Sequence, residues 1–355
     1  MNNSIIKVGN ESYHKNVLCN DDRVITLLKN QQKLNPDVRY NLICTSDHSY
    51  TAKSFLGKGQ YNYVYSIKED PTKVLRITIP GSNIITIFEE INGLFLQSYM
   101  SKSIAEGGIA CPNICKVYEF GTIVSYDENV VRGYAILEKL TTPELTNKIK
   151  ELKKYRIWKG RLNLKPVFKQ VLNGLKCIHS NDFVHLDIKD KNIGLDDQGN
   201  AKIFDFGFAM YLPNEQSLPN EQSLPNTSEI GTPLFSDPST INIKSDIYSL
   251  GVILLETYFK INAIDFFNAK KQKDWDVFER SYYDDKNDKN NPILLENLVK
   301  HMLSRDPSAR YTSAQALADQ WFSSTRGGKI LKNKSKKYKN RKRANKSMRK
   351  NRNTV

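Results

Sequence analysis

Apolar and polar positions change period once along the chain. Between residues 51 and about 140 they alternate in short runs. Tyr63-Val64-Tyr65-Ser66-Ile67 and Lys73-Val74-Leu75-Arg76-Ile77 predict two strands, joined at Glu69-Asp70-Pro71-Thr72. Tyr134-Ala135-Ile136-Leu137 predicts a further buried strand, and Ile84–Met100, apolar at helical spacing, predicts a helix packed on the strands. From about 141 to 325 helical spacing dominates. Leu164–Ser180 places Val167, Val171, Leu172, Leu175 and Ile178 on one face, and Asp246–Phe259 is apolar enough to be a buried central helix. Leu294–Leu303 and Ser313–Phe322 read as closing helices. A strand-rich part followed by a helix-rich part predicts an α+β protein of two lobes, about 51–138 and 141–325.

The ends read differently. Residues 1–50 are polar and Asn-rich and read as an N-terminal extension with a helix around Asp22–Gln32. Residues 213–224 repeat Pro-Asn-Glu-Gln-Ser-Leu twice; two copies of six residues make no solenoid, so an exposed, length-tolerant loop is expected. The 355 residues carry a net charge of +15. Residues 326–355 hold 14 Lys/Arg and no acid, which leaves 39 basic against 38 acidic side chains in residues 1–325. The basicity therefore belongs to a tail that cannot bury a core and is expected to be disordered alone.

Composition excludes some classes. No run of about 18 uninterrupted apolar residues is present, and the apolar stretch in the first residues is too short for a secretory signal. Five cysteines (Cys19, Cys44, Cys111, Cys115 and Cys177) are an odd number without framework spacing, which predicts reduced thiols inside a cell, in cytoplasm or nucleus. Cys111 and Cys115 lack the nearby Cys/His pair that a zinc site needs.

Candidate chemistry is concentrated in His185-Leu186-Asp187-Ile188-Lys189-Asp190-Lys191-Asn192, followed 18 residues after Asp187 by Asp205-Phe206-Gly207. This pair, in this order and spacing, resembles the catalytic loop and magnesium loop of eukaryotic-type protein kinases of the serine/threonine kind. Further stretches fall in the family's order. Gly57-Lys58-Gly59-Gln60-Tyr61-Asn62-Tyr63-Val64 resembles the glycine-rich loop, whose missing side chains let backbone amides approach phosphate. Gly231-Thr232-Pro233 through Ser239 resembles the end of an activation segment. Asp246-Ile247-Tyr248-Ser249-Leu250-Gly251 resembles the helix whose Asp braces the catalytic loop, and Ser304–Arg310 the last motif.

The resemblance, over residues 51–325, implies a bilobal kinase fold that uses ATP and Mg²⁺ on protein substrates. It casts Asp187 as the base that orients the attacking hydroxyl and Lys189 as the cation on the migrating phosphoryl group. Asn192 and Asp205 become oxygen ligands of Mg²⁺, and Gly57, Gly59, Val64, Arg76 and Glu90 nucleotide-site residues. Lys189 and Thr232 resemble serine/threonine rather than tyrosine kinases, with Thr232 hydrogen-bonding toward Asp187 and Lys189.

Departures divide two readings. The strand lysine of the family is replaced by Arg76, since Lys73 leaves on the opposite face, and arginine is not a conservative exchange for lysine. Glu90 is its expected helix partner, with Glu89 the alternative. Gly194 stands where the family places a large apolar residue under the purine, so the floor of the base site is expected to be thin. Leu186 replaces the arginine before the catalytic Asp, which argues against a phosphate-reading switch, although Ser217, Ser223, Thr227 and Ser228 lie in the activation loop. Ser239 replaces the glutamate expected to pair Arg310. The chain is therefore an active divergent kinase or a pseudokinase that serves as a binding scaffold. The tail suits nucleic acid or another polyanion by counterion release, nuclear targeting, an anionic membrane, an acidic protein, or solubility alone. Abundant Asn, Lys and Ile with a Gly327-Gly328-Lys329 start to the tail resembles kinases of large DNA viruses, which would place the protein in a host cell or virion.

Overall fold

Strand pairing in the computed structural model follows the period-two runs and extends them toward the N-terminus. The structure describes residues 4–31, most of 33–44, 47–102, 109–125, 130–154, 164–213, 231–237, 241–259, 264, 293–304 and 306–323. Seven strands, β1 (Ile5–Val8), β2 (Glu11–Val17), β3 (Tyr50–Lys58), β4 (Asn62–Ile67), β5 (Lys73–Thr78), β6 (Val117–Ser125) and β7 (Val130–Glu138), close a barrel in the order β1-β2-β6-β7-β5-β4-β3. All neighbours are antiparallel except β1 and β3, which run parallel with Ile6 opposite Tyr50. The β4–β5 turn is set by Asp70, whose carboxylate accepts from the Thr72 N–H at 2.9 Å, a local bond that competes with extended structure. Alternation along β5 then sends Leu75 and Ile77 into a cluster with Ile6, Tyr13, Ile123 and Tyr134. Val74 joins Ile87, Ile91 and Leu94 of helix α2 (Ile84–Ser101) in the main core.

Residues 1–50 are not an extension outside the sheet. β1 and β2 fill the gap between β3 and β6, and helix α1 (Asp22–Asn30), capped by Asp21, buries Val24, Ile25 and Leu28 in the main core. Two short strands of mixed polarity carry little period-two signal, which is why they escape a sequence reading. Closing the barrel removes sheet edges at the cost of burying charge. The Lys15 ammonium is paired with Glu119 at 2.6 Å, and Glu119 also accepts from the Tyr134 hydroxyl at 2.6 Å.

Helices follow β7: α3 (Leu145–Lys154), α4 (Lys165–His179), α5 (Ile243–Leu254) and α6 (Ile293–Met302), then the short helices Ser313–Ala318 and Gln320–Ser323. Pro166 starts α4, where its missing N–H costs nothing, and a reciprocal Asn242/Ser245 capping box starts α5. Every residue from Ser245 to Leu254 is buried, and the helical run continues as one π-helical turn, Leu255–Phe259, rather than as regular α-helix. Between α4 and α5 lie β8 (Phe183–Val184), β9 (Ile193–Leu195), β10 (Ala201–Ile203) and β11 (Met210–Tyr211), with β9 paired to β10 and β8 to β11. No helix among the described residues is long and apolar enough to cross a membrane.

Two expectations are corrected. The cysteines are not all thiols: Cys19 bonds Cys44 and Cys111 bonds Cys177, with Cα separations of 6.1 and 5.9 Å, and Cys115 is free and buried. The partners lie 25 and 66 residues apart, so linear spacing conceals them. Arg310 is not left without a carboxylate either. Ser239 lies outside the described residues, but Asp237 forms a fully buried ion pair with Arg310, which also donates to the Ser304 carbonyl at 3.0 and 3.2 Å. The duplicated hexapeptide beyond Pro213, the activation-loop Ser217, Ser223, Thr227 and Ser228, and the basic tail also lie outside the described residues.

Alkylation followed by intact-mass measurement checks the pairing. Burial pushes the Cys115 thiol up to about 12, so the native chain at pH 8 holds almost no thiolate and takes no adduct. Denaturation without reduction should then expose the one free thiol, and reduction all five. Three or more adducts before reduction would remove a bridge.

Candidate active site

The loop between β8 and β9 is held from below by a carboxylate. Asp246, fully buried at the start of α5, accepts from the His185 N–H at 2.9 Å, the Leu186 N–H at 2.8 Å and His179 Nε2 at 2.9 Å. His185 in turn lies 3.2 Å from the Phe204 carbonyl and packs its ring on Phe206. The backbone pinned in this way is strained: Leu186 and Asp205 take φ of +64° and +70°, a region that non-glycine residues rarely occupy.

This scaffold gathers polar side chains around Asp187. Its Oδ2 accepts from Lys189 Nζ at 2.7 Å and Asn192 Nδ2 at 2.8 Å, and its Oδ1 from the Thr232 hydroxyl at 2.7 Å. Lys189 also donates to Thr232 at 2.9 Å, so the hydrogen bonds expected of Thr232 are both formed. Asp187 and Asn192 are each only 4% exposed, which strengthens these bonds relative to water. Gly231, at φ +75°, brings Thr232 to this position, because a Cβ there would run into the Leu186 carbonyl. Asp205 adjoins the cluster through the Phe204 N–H, which donates to the Asn192 carbonyl at 3.1 Å.

Helix α2 forms the back wall. Arg76 of β5 pairs with Glu90 of α2, whereas Glu89 acts electrostatically on Lys33. Lys73 points away, to Asp70 at 3.0 Å and the Tyr118 ring. Burial lowers the Arg76 pKa while the Asp205 carboxylate and Cys115 raise it, so Arg76 and Asp205 share one electrostatic environment. The Arg76 Nε is buried and has no hydrogen-bond partner among the described residues. Gly57, Gly59 and Val64 lie on the β3–β4 hairpin, with Gly59 N–H donating to the Asn62 carbonyl at 2.8 Å and Val64 opposite Arg76 in the β4–β5 register.

The sequence profile of the family described as "Protein kinase domain" matches residues 50–322. This chain belongs to the protein kinase family. Among curated relatives, it is 30% identical over 202 residues to CBL-interacting serine/threonine-protein kinase 8 of Arabidopsis thaliana, covering 53% of this chain and 40% of that protein. It is 27% identical over 283 residues to calcium-dependent protein kinase 6 of Plasmodium berghei (76% of this chain, 17% of that protein). It is 26% identical over 270 residues to serine/threonine-protein kinase shk2 of Schizosaccharomyces pombe (72% and 40%). The chain thus spans less than half the length of each of these relatives.

Protein kinases generally use ATP and Mg²⁺, and the residues of this kinase domain fit both on local chemistry. Asn192 directs its amide N–H groups to Asp187, which leaves its carbonyl oxygen, with the Asp205 carboxylate, as a hard oxygen pair of the kind Mg²⁺ takes. The unpartnered Arg76 Nε is a buried cationic donor of the kind phosphate satisfies. The position expected to leave a thin floor is Gly194, buried in β9. A Cβ there would lie 2.5 Å from Leu140 Cδ1 and 3.0 Å from the Thr142 carbonyl, so Leu140 covers the position from the connection after β7. A residue missed in the sequence is Gln97, fully buried on α2. It accepts from the Asp205 N–H at 3.1 Å and donates to the Cys115 carbonyl at 2.9 Å. Its spacing of seven residues from Glu90 puts both on one helical face, the one signal that pointed to it.

Gly194→Leu should overpack against Leu140 and lower the unfolding free energy by about 1–3 kcal/mol. Urea titration of the single variant and of Gly194→Leu/Leu140→Ala checks this, with part of the loss recovered in the double variant and the rest kept by the Thr142 and Pro143 carbonyls.

Proposed function

We propose that this kinase domain is catalytically active and transfers the terminal phosphate of ATP to serine or threonine hydroxyls of proteins. The observation that carries the reading is the Asp187 carboxylate, held by Lys189, Asn192 and Thr232 with Asp205 beside them. ATP with Mg²⁺ would supply the phosphoryl group and offset the charge on its oxygens. Asp187 then orients the acceptor hydroxyl and takes its proton. Lys189, already on Asp187, is near enough to steady negative charge on the migrating group. Arg76, fixed by Glu90, grips phosphate through the donor that lacks a protein partner, and the missing side chains at Gly57 and Gly59 let phosphate approach the β3–β4 hairpin closely. Thr232 narrows the acceptor side by bonding both Asp187 and Lys189, an arrangement that suits a short aliphatic hydroxyl. The basic tail adds a polyanion contact, nucleic acid foremost, with the steep salt dependence of counterion release.

A second reading has one specific observation in its favour. Arg76 stands in place of lysine and its pairing with Glu90 is complete without ligand, as in a kinase-shaped module that binds nucleotide and does not turn it over. Phosphate transfer to a mixed Ser/Thr/Tyr peptide set separates the two. Asp187→Asn should lower kcat by about 10²–10⁴-fold, the worth of a positioned base, with phosphate appearing on Ser and Thr. Arg76→Ala should weaken ATP·Mg²⁺ binding at least about 10-fold, whereas Arg76→Lys should retain it. Equal signals from wild type and Asp187→Asn would favour the scaffold.

A further inference from the structure

Helix α2 is gripped on two sides. One side carries Glu90 and Gln97 into the cleft; the other is covered by residues of the N-terminal segment. Leu28 and Leu34 join Asn92, Gly93 and Leu96 of α2 and Phe206, Gly207 and Ala209 of the magnesium loop around a cavity of only about 10 Å³, so the three pieces are in close contact. Gly93 allows this approach, since a Cβ there would lie 2.8 Å from the Gly207 nitrogen. Tyr40 sets its ring edge-on against Phe95 and Tyr99 of α2, at centroid distances of 6.0 and 4.6 Å, and its hydroxyl accepts from the Asn35 N–H at 2.9 Å. Lys33 Nζ reaches past α2 to donate to the Ala209 carbonyl at 3.1 Å. The Cys19–Cys44 bridge closes the chain around this segment.

We infer that the N-terminal segment is a built-in brace for the catalytic cleft, with Lys33 and Tyr40 as positioning residues that hold α2 and the magnesium loop in register. A partly desolvated ammonium on a single carbonyl is a costly way to fill space. Its place, two residues after Gly207, is where a tether controls the direction of Asp205. Burial lowers the Lys33 pKa and Glu89 of α2 raises it, so the same ammonium also faces α2 electrostatically. The brace would act continuously, without a phosphate on the activation loop, and so matches a catalytic loop in which Leu186 stands before Asp187.

This inference rests on the activity proposed above, and its test is built to separate the two. In the full chain, Lys33→Met keeps the side chain's length and apolar stem and removes only the donor. Tyr40→Ala removes the ring and Tyr40→Phe restores it. Positioning predicts that Lys33→Met and Tyr40→Ala lower kcat about 10-fold or more at temperatures where circular dichroism shows both folded, with Tyr40→Phe near wild type. KM for the acceptor peptide should be unchanged. Hydrogen exchange should speed up across Ile84–Ser101 and 205–209 in the two damaging variants and not in α4. Wild-type turnover in both, with exchange in α2 unaltered, overturns the inference. If wild type itself transfers no phosphate, the activity reading fails alone. The exchange pattern, measured with and without ADP·Mg²⁺, then decides the brace: faster exchange in α2 and 205–209 supports it, and unaltered exchange overturns it.

Discussion

A carboxylate with no access to water must be matched by donors, and Asp246 shows what that demand organises. Its two oxygens receive two backbone N–H groups of the loop that carries Asp187 and one ring nitrogen of α4. Removing that acceptor would strand buried N–H groups at about 1–3 kcal/mol each. The loop therefore has one low-energy course, and that course forces the left-handed backbone at Leu186. Asp187, Lys189 and Asn192 follow from it within six residues, and Gly231 can lie against the Leu186 carbonyl only because it has no side chain. The cluster around Asp187 is thus a consequence of how the buried helix α5 is anchored.

The other half of the site depends on α2. One face of this helix holds Arg76 through Glu90 and the Asp205 backbone through Gln97, while a second face holds the N-terminal segment. Because α2 touches Arg76 through Glu90, the Asp205 backbone through Gln97 and the N-terminal segment through Leu96, a small shift of it would move Arg76 and Asp205 together. The ten-residue stretch from Glu90 to Tyr99 therefore links the positions of Arg76 and Asp205 to the N-terminal segment.

Much of this was legible in the sequence where chemistry and local period coincide. The β4–β5 hairpin and α2 follow from alternation and helical spacing, and the Asp187 loop and the Asp205 loop stand out by their resemblance to protein kinase motifs. What escaped reading were pairings over long separations. Cys19 with Cys44 and Cys111 with Cys177 share no spacing rule. β1 has only four residues and β2 turns a lysine, Lys15, inward beside Tyr13, so apolar period does not mark them, and their place is decided by the open edges of β3 and β6. Lys33 looks like any surface lysine until the fold brings Ala209 over it.

The departures that cast doubt on activity share a pattern once their neighbours are seen. At Ser239 the family's acid is missing, yet Asp237 supplies a carboxylate to the same buried Arg310. At Gly194 the side chain is missing, yet Leu140 covers the same place from another segment. At Arg76 the ammonium is exchanged for a guanidinium, which spends one edge on Glu90 and keeps Nε in reserve. In two cases a different residue supplies the interaction, and in the third a forked cation stands where the family has a point charge. A reading of motifs position by position counts each as a loss, because it compares residues at one index and not the volume or charge present at one place. An unpaired buried cation or an unfilled cavity would each cost stability. Pairing at Arg310 and packing beside Gly194 close the fold at both places, while the Arg76 Nε stays a buried donor without a partner among the described residues.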